Sequence, residues 1–171
     1  MARYDHASIA EKLKQVVAFT EFSAAEIDKL VVGGKILFFK KDTTICIEGE
    51  STRSLYIVLG GAASVFKASR GTGQLSRIAY LEVGSAFGEI SLLDSGPRSA
   101  TVVADSDIEI FELKSNYFDA FLRDGGPNLE LRFYKRTALN LAEKFRSTND
   151  DFILAQGLLW KYALSPQKKS T

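Results

Sequence analysis

Between Lys35 and Leu113 the chain breaks into short runs rich in β-branched and aromatic residues: KILFFK, TTICIEGE, SLYIVLGG, ASVFKAS, QLSRIAYLEVG, SATVVAD and IEIFELK. Glycines at 49, 60, 61, 71, 73 and 84 stand where such strands should reverse. So many short antiparallel strands expose edges unless the sheet closes or doubles into two layers. The spacing therefore predicts a mainly β fold with flanking helices, a jelly roll (double-stranded β-helix) or small barrel.

Helical patterns flank this core. Ile9, Leu13, Val16 and Val17 recur at helical spacing, and Ser23 is placed to cap a second short helix through Val32. After the strands, Asn116 to Arg123 reads as a short helix ended by Asp124-Gly125-Gly126, and Pro127 starts a longer one. Along the longer helix Leu131, Tyr134, Ala138, Leu141, Phe145, Thr148, Phe152, Ala155 and Leu159 alternate gaps of three and four, the seam of a two-stranded coiled coil. The same stripe could instead pack on its own domain. Thr148-Asn149-Asp150-Asp151 also reads as a capping box that would interrupt the helix. The expected divisions are an N-terminal helical segment at 1–33, a β jelly roll at 34–114, and C-terminal helices with a tail at 115–171.

One stretch, FGEISLLDSGPRSAT at 87–101, carries the chemistry. Gly88 allows an unusual backbone and close approach. Glu89 to Leu93 can form one helical turn whose first N–H groups have no partner inside the helix. Gly96-Pro97 turns the chain, and Arg98 then presents a planar fork of donors suited to phosphate, beside the Ser99 hydroxyl and the uncrowded N–H of Ala100. These groups favour an anion. Glu89, an ionised acceptor, does not, so the ligand should also carry hydroxyls, as a sugar phosphate or nucleotide does. The plainer alternative is a loop in which Glu89 and Arg98 form a surface ion pair.

The stretch resembles the phosphate-binding cassette of cyclic nucleotide-binding domains, and Leu55-Tyr56-Ile57-Val58 before Gly61 and Gly84 ahead of Phe87 fit the same resemblance. The resemblance implies that Glu89 takes the ribose 2′-hydroxyl and Arg98 the cyclic phosphate. Backbone donors would come from Gly88, Ile90 and Ala100 and a hydroxyl from Ser99, with Ser91 counted in the same set. In bacterial members two adjacent polar residues of the long helix reach the base, one from each subunit. By that match Thr148 and Asn149 hold those positions, and the helix pairs across a two-fold axis. The resemblance covers about Leu13 to Asp150. Past it, FILAQGLLWKYAL and PQKKST read as an amphipathic tail anchored by Leu159, Trp160 and Tyr162, expected to be buried on its own molecule, where bacterial activators continue into a DNA-binding unit.

Composition narrows the alternatives. With 22 Lys and Arg against 21 Asp and Glu, no net field would gather nucleic acid or an anionic membrane. No apolar run is long enough to span a bilayer, and no signal pattern opens the chain. Cys46, the single cysteine, sits between Ile45 and Ile47 as an inert strand thiol, which fits a reducing, cytoplasmic setting. A cupin-type metalloenzyme would need several inward histidines, and the one histidine is His6 near the N-terminus. Ser91, Ser95 and Ser99 have no base near in sequence. The expectation is a non-enzymatic cyclic nucleotide sensor with no metal or cofactor. It should favour cyclic AMP over cyclic GMP, form a homodimer through its C-terminal helix and act on an unidentified effector protein. The alternatives are a domain of the same fold that serves only for dimerisation or docking, and a transcription regulator lacking its DNA-binding part.

Overall fold

The structure is a computed structural model that describes residues 4–69, 71–93 and 96–164, apart from the side chains of Ser91, Tyr162, Ala163 and Leu164. In chain order the elements are α1 (His6–Gln15), a 3-10 turn (Val17–Phe19), α2 (Ala24–Gly33), β1 (Lys35–Phe39), β2 (Thr44–Cys46), β3 (Ser54–Gly60), β4 (Ala63–Ala68) and β5 (Leu75–Leu81). They continue with β6 (Ala86–Phe87), α3 (Glu89–Leu93), β7 (Thr101–Ala104), β8 (Ile108–Lys114) and α4 (Ser115–Leu164). The strands form two four-stranded antiparallel sheets, β1-β8-β3-β6 and β2-β7-β4-β5. This is the predicted jelly roll in its two-layered form.

Strand β3 shows why the layers stack as they do. Its run SLYIVL is buried on both faces. Because strand side chains alternate, Leu55, Ile57 and Leu59 join a core shared with the helices, whereas Tyr56 and Val58 point between the sheets. Strand β8 divides likewise, sending Phe111 and Leu113 to the helical side and Ile108 and Ile110 to the inter-sheet side. A sheet apolar on one face only could not carry helices on its back; this one is the middle layer.

The helical side is an aromatic cluster in which Phe19 lies 5.8 Å from Phe118 and Phe118 4.8 Å edge-on to Phe133. The Ser23 cap is a full capping box with Glu26, and Arg132 bonds both the Glu26 carboxylate and the Glu21 carbonyl. These bonds tie α4 to the start of α2. Helix α4 is broken at Gly126, whose φ of 75° and ψ of 179° are non-helical, with Pro127 opening the second arm.

In α4 one open alternative is resolved and one expectation corrected. The chain stays helical across Thr148-Asn149-Asp150-Asp151, so the capping box does not form there; the Thr148 hydroxyl donates instead to the Lys144 carbonyl at 2.8 Å, within the same helix. The tail is not buried on its own molecule: Leu159 and Trp160 are 69% and 67% exposed, and residues 143–161 of α4 are exposed throughout. Tyr162's side chain and residues 165–171 lie outside the described residues.

Candidate functional site

The site begins with the positioning of Arg98, which is buried at 4% exposure. Its backbone is locked to the β2–β3 connection, the Arg98 N–H donating to the Glu50 carbonyl at 2.8 Å and its carbonyl accepting from the Gly49 N–H at 2.9 Å. Its side chain donates from Nε to Thr52 Oγ1 at 3.2 Å and from Nη1 to the Ser54 carbonyl at 2.9 Å. The guanidinium lies 4.9 Å from the centre of the Tyr56 ring, which stacks at 5.0 Å on Phe87. A buried side chain fixed this way is not half of a surface ion pair, which removes the plainer reading of the motif.

Gly88 earns its place for a reason the sequence did not show. Its φ is +85°, and a Cβ there would come within 2.5 Å of the Ser54 carbonyl and overlap the Arg98 guanidinium. The close approach is made by the protein's own arginine and strand β3.

Gly88, Glu89, Ile90, Arg98, Ser99 and Ala100 all line one cavity of about 290 Å³, whose floor is apolar, with Val65, Leu81, Phe87 and Val102. That volume is at the lower end of the ~300–1,000 Å³ usual for small-ligand sites. The cavity combines a fixed cation, a carboxylate and a short helix start with an apolar floor, which suits an amphiphilic anion bearing hydroxyls. Ser99 is exposed at the mouth, where Lys67 donates both to its carbonyl and, at 2.6 Å, to Glu48. Ser91 belongs to α3 through its backbone, but its side chain, like Ser95, lies outside the described residues.

Sequence reasoning did not single out the apolar floor, nor the thiol of Cys46 and the ammonium of Lys144 in the same lining. Cys46, taken as an inert strand thiol, reaches the cavity wall; burial pushes its thiol pKa up, in keeping with low reactivity. Lys144 of α4 crosses to α3 and donates to Glu89 Oε1 at 2.7 Å. A signal for it existed: Phe133, Thr137, Asn140 and Lys144 follow helical spacing, and Phe133 and Thr137 are buried. That face packs on the domain. The seam lies elsewhere on the helix, with Leu131 64%, Phe145 67% and Phe152 60% exposed, so most of the stripe does not cover its own domain.

Thr148 and Asn149 are exposed one turn beyond Lys144 and are not part of the cavity wall of the single chain. His6 sits on α1, its ring Nε2 3.0 Å from Asp28 Oδ1 in an exposed hydrogen bond. Among the described residues, no three His, Cys, Asp or Glu side chains gather as a metal site would require, and no helix is long and apolar enough to cross a membrane.

Comparison with known proteins places this geometry. Residues 36–124, 89 of 171, match the family described as cyclic nucleotide-binding domain. The chain is 31% identical over 119 residues to a cAMP-dependent protein kinase regulatory subunit of Mucor circinelloides f. lusitanicus, covering 70% of this chain and 27% of that protein. It is 32% identical over 105 residues to a cyclic AMP receptor protein of Thermus thermophilus, covering 61% of this chain and 48% of that one. It thus spans less than half the length of either curated relative. A solved cyclic nucleotide-binding domain from Methylobacillus flagellatus superposes with a TM-score of 0.73 at 25% identity, covering 88% of this chain and 83% of that one. With its two-sheet jelly roll and a cassette built around Gly88, Glu89 and Arg98, this chain belongs to the cyclic nucleotide-binding domain family.

Proposed function

We propose that the chain is a sensor module that binds a cyclic nucleotide, cyclic AMP in preference to cyclic GMP, and passes occupancy of the site to an effector protein through α4. The observation that carries this reading is that Glu89 and Arg98 line a single cavity. The cyclic phosphate would meet Arg98, Ser99 and the N–H groups of Gly88, Ile90 and Ala100, with Ser91 adjoining; the ribose 2′-hydroxyl would meet Glu89. The names of the two curated relatives, both tied to cyclic AMP, support that preference, and a serine at position 99 is compatible with it. The exposed seam supports a homodimer through α4, which would bring Thr148 and Asn149 of paired helices toward the bases. In this reading 1–33 and 115–171 move about a rigid roll at 34–114, the module does no chemistry of its own, and it works in the cytoplasm.

A cyclic nucleotide has about 22 non-hydrogen atoms, and at about −0.3 kcal/mol each the binding energy is near −7 kcal/mol, a Kd in the low micromolar range. The test is calorimetric titration of the full chain with cyclic AMP and cyclic GMP, repeated on Arg98→Ala. Loss of the charge-assisted bonds should weaken binding by roughly 2–4 kcal/mol. Thermal melts of the empty proteins separate that loss from damage to the fold. A wild-type chain that gives neither heat nor a melting shift with any cyclic nucleotide refutes the reading.

A further inference from the structure

Successive backbone carbonyls from Arg98 to Ala100 are each engaged by a different part of the chain. The Arg98 carbonyl accepts from the Gly49 N–H at 2.9 Å, and the Ala100 carbonyl lies 3.9 Å from the Cys46 thiol sulfur. The carbonyl between them, on Ser99, accepts from a charged side chain, the Lys67 ammonium of β4. Ser99 and Ala100 line the cavity and Lys67 does not, so the ammonium takes this carbonyl from outside. Glu48 fixes the lysine in turn. Its Oε1 pairs with Lys67 at 2.6 Å, its Oε2 accepts the Ala68 N–H at 3.1 Å, and its own N–H donates to Thr101 Oγ1 at 3.0 Å. Lys67 is thereby anchored to both β4 and β7.

A peptide unit is planar and trans, so its C=O and N–H point in opposite directions. With the Ser99 carbonyl drawn out to Lys67, the Ala100 N–H of the same unit is turned the other way, to the cavity side. Half a turn of that unit would aim the carbonyl oxygen inward instead, against an anion. A charge-assisted bond is what such a turn must break. We propose that Lys67 is a positioning residue for ligand binding: by holding the Ser99 carbonyl at the rim it keeps the Ala100 N–H aimed at the phosphate, without touching the ligand. This rests on the cyclic nucleotide reading above. The rival arrangements are a lysine that only adds positive charge near the phosphate, and an ion pair with Glu48 that only secures the fold.

The three are separated by titrating the isotope-labelled full chain, Lys67→Met and Lys67→Arg with cyclic AMP, followed by calorimetry and by amide NMR. Methionine keeps the apolar stem and removes the charge. The lysine side chain is 46% exposed, so the fold should survive, as a melting curve would verify. In the wild type, ligand should move the amide protons of Gly88, Ile90 and Ala100 downfield. Lys67→Met should lose about three- to tenfold in affinity, the scale of one net hydrogen bond. At saturating ligand its Ala100 response should shrink by more than half, while those of Gly88 and Ile90 persist. Lys67→Arg, whose fork reaches both acceptors, should restore affinity and the Ala100 response together. Weaker binding with the Ala100 response intact, equal losses at all three amides, or an unchanged affinity each overturns the proposal while leaving the cyclic nucleotide reading in place. A wild-type chain that binds no cyclic nucleotide overturns both.

Discussion

Substituting Gly88 by alanine tests how the cassette is built. Two penalties combine. At a φ of +85° an L-residue is strained, which costs about 1–2 kcal/mol. The new methyl group would also lie 2.5 Å from the Ser54 carbonyl, well inside the 3.4 Å at which ordinary contact begins. That carbonyl belongs to β3, paired on both sides by β6 and β8, and cannot retreat cheaply; forced overpacking of this kind costs about 1–3 kcal/mol. The sum is about 2–5 kcal/mol, slightly reduced by the lower entropy of the unfolded alanine chain. For a chain of this size that is a fall in Tm on the order of 10 °C. Gly49→Ala is the control, because Gly49 has a φ of +88° but nothing within 4 Å of its Cβ position, so only the strain applies and the fall should be a few degrees. Calorimetric unfolding of both variants measures the difference. If the two lose the same amount, the close approach of Arg98 and β3 is not what requires a glycine. The methyl should also push the guanidinium aside, so the Gly88 variant should bind cyclic nucleotide more weakly at temperatures where it is fully folded.

Acid should destabilise the fold through two carboxylates. Burial raises the pKa of Glu26 and of Glu112, but bonds from Arg132 and Ser23 in the first case, and from Ser54 and Lys35 in the second, outweigh it and hold both below the ordinary value of 4.5. A depressed carboxyl contributes stability that is complete above its unfolded-state pKa and is lost as pH falls through the folded-state value. Unfolding free energy from urea titrations should therefore decline below about pH 4.5, less steeply in Glu26→Gln; identical slopes would contradict the assignment. For the seam, Phe145→Glu places a charge on a residue 67% exposed in the single chain. It should convert a dimer to monomers in sedimentation equilibrium with little change in monomer stability, and a wild type already monomeric at high concentration would contradict the pairing.

Much of the fold was legible because its signals are local. Most strands announce themselves by residue type, β2 to β5 also by a glycine within three residues of an end, and the break before Pro127 follows from the chemistry of two adjacent residues, Gly126 and Pro127. Strand β6, two residues long, has too few positions to show a period, and it was read as part of the cassette. The capping box at Thr148 was a true local signal that lost to its setting: an isolated cap competes poorly with an established helix that extends on both sides.

What residue types and spacing determined by themselves was the β-rich core, the helical flanks, and which functional groups 87–101 carries, since turns, periodicity and functional groups are properties of neighbours in the chain. Tertiary structure alone decided which partners those groups meet. Arg98 is held by Thr52 and Ser54, 46 and 44 residues earlier, and Glu89 by Lys144, 55 residues later. The choice of which face of α4 packs inward, leaving the seam outside, was also made there. Such pairings depend on how layers stack and how one helix crosses a roll, and a linear pattern carries no measure of that distance.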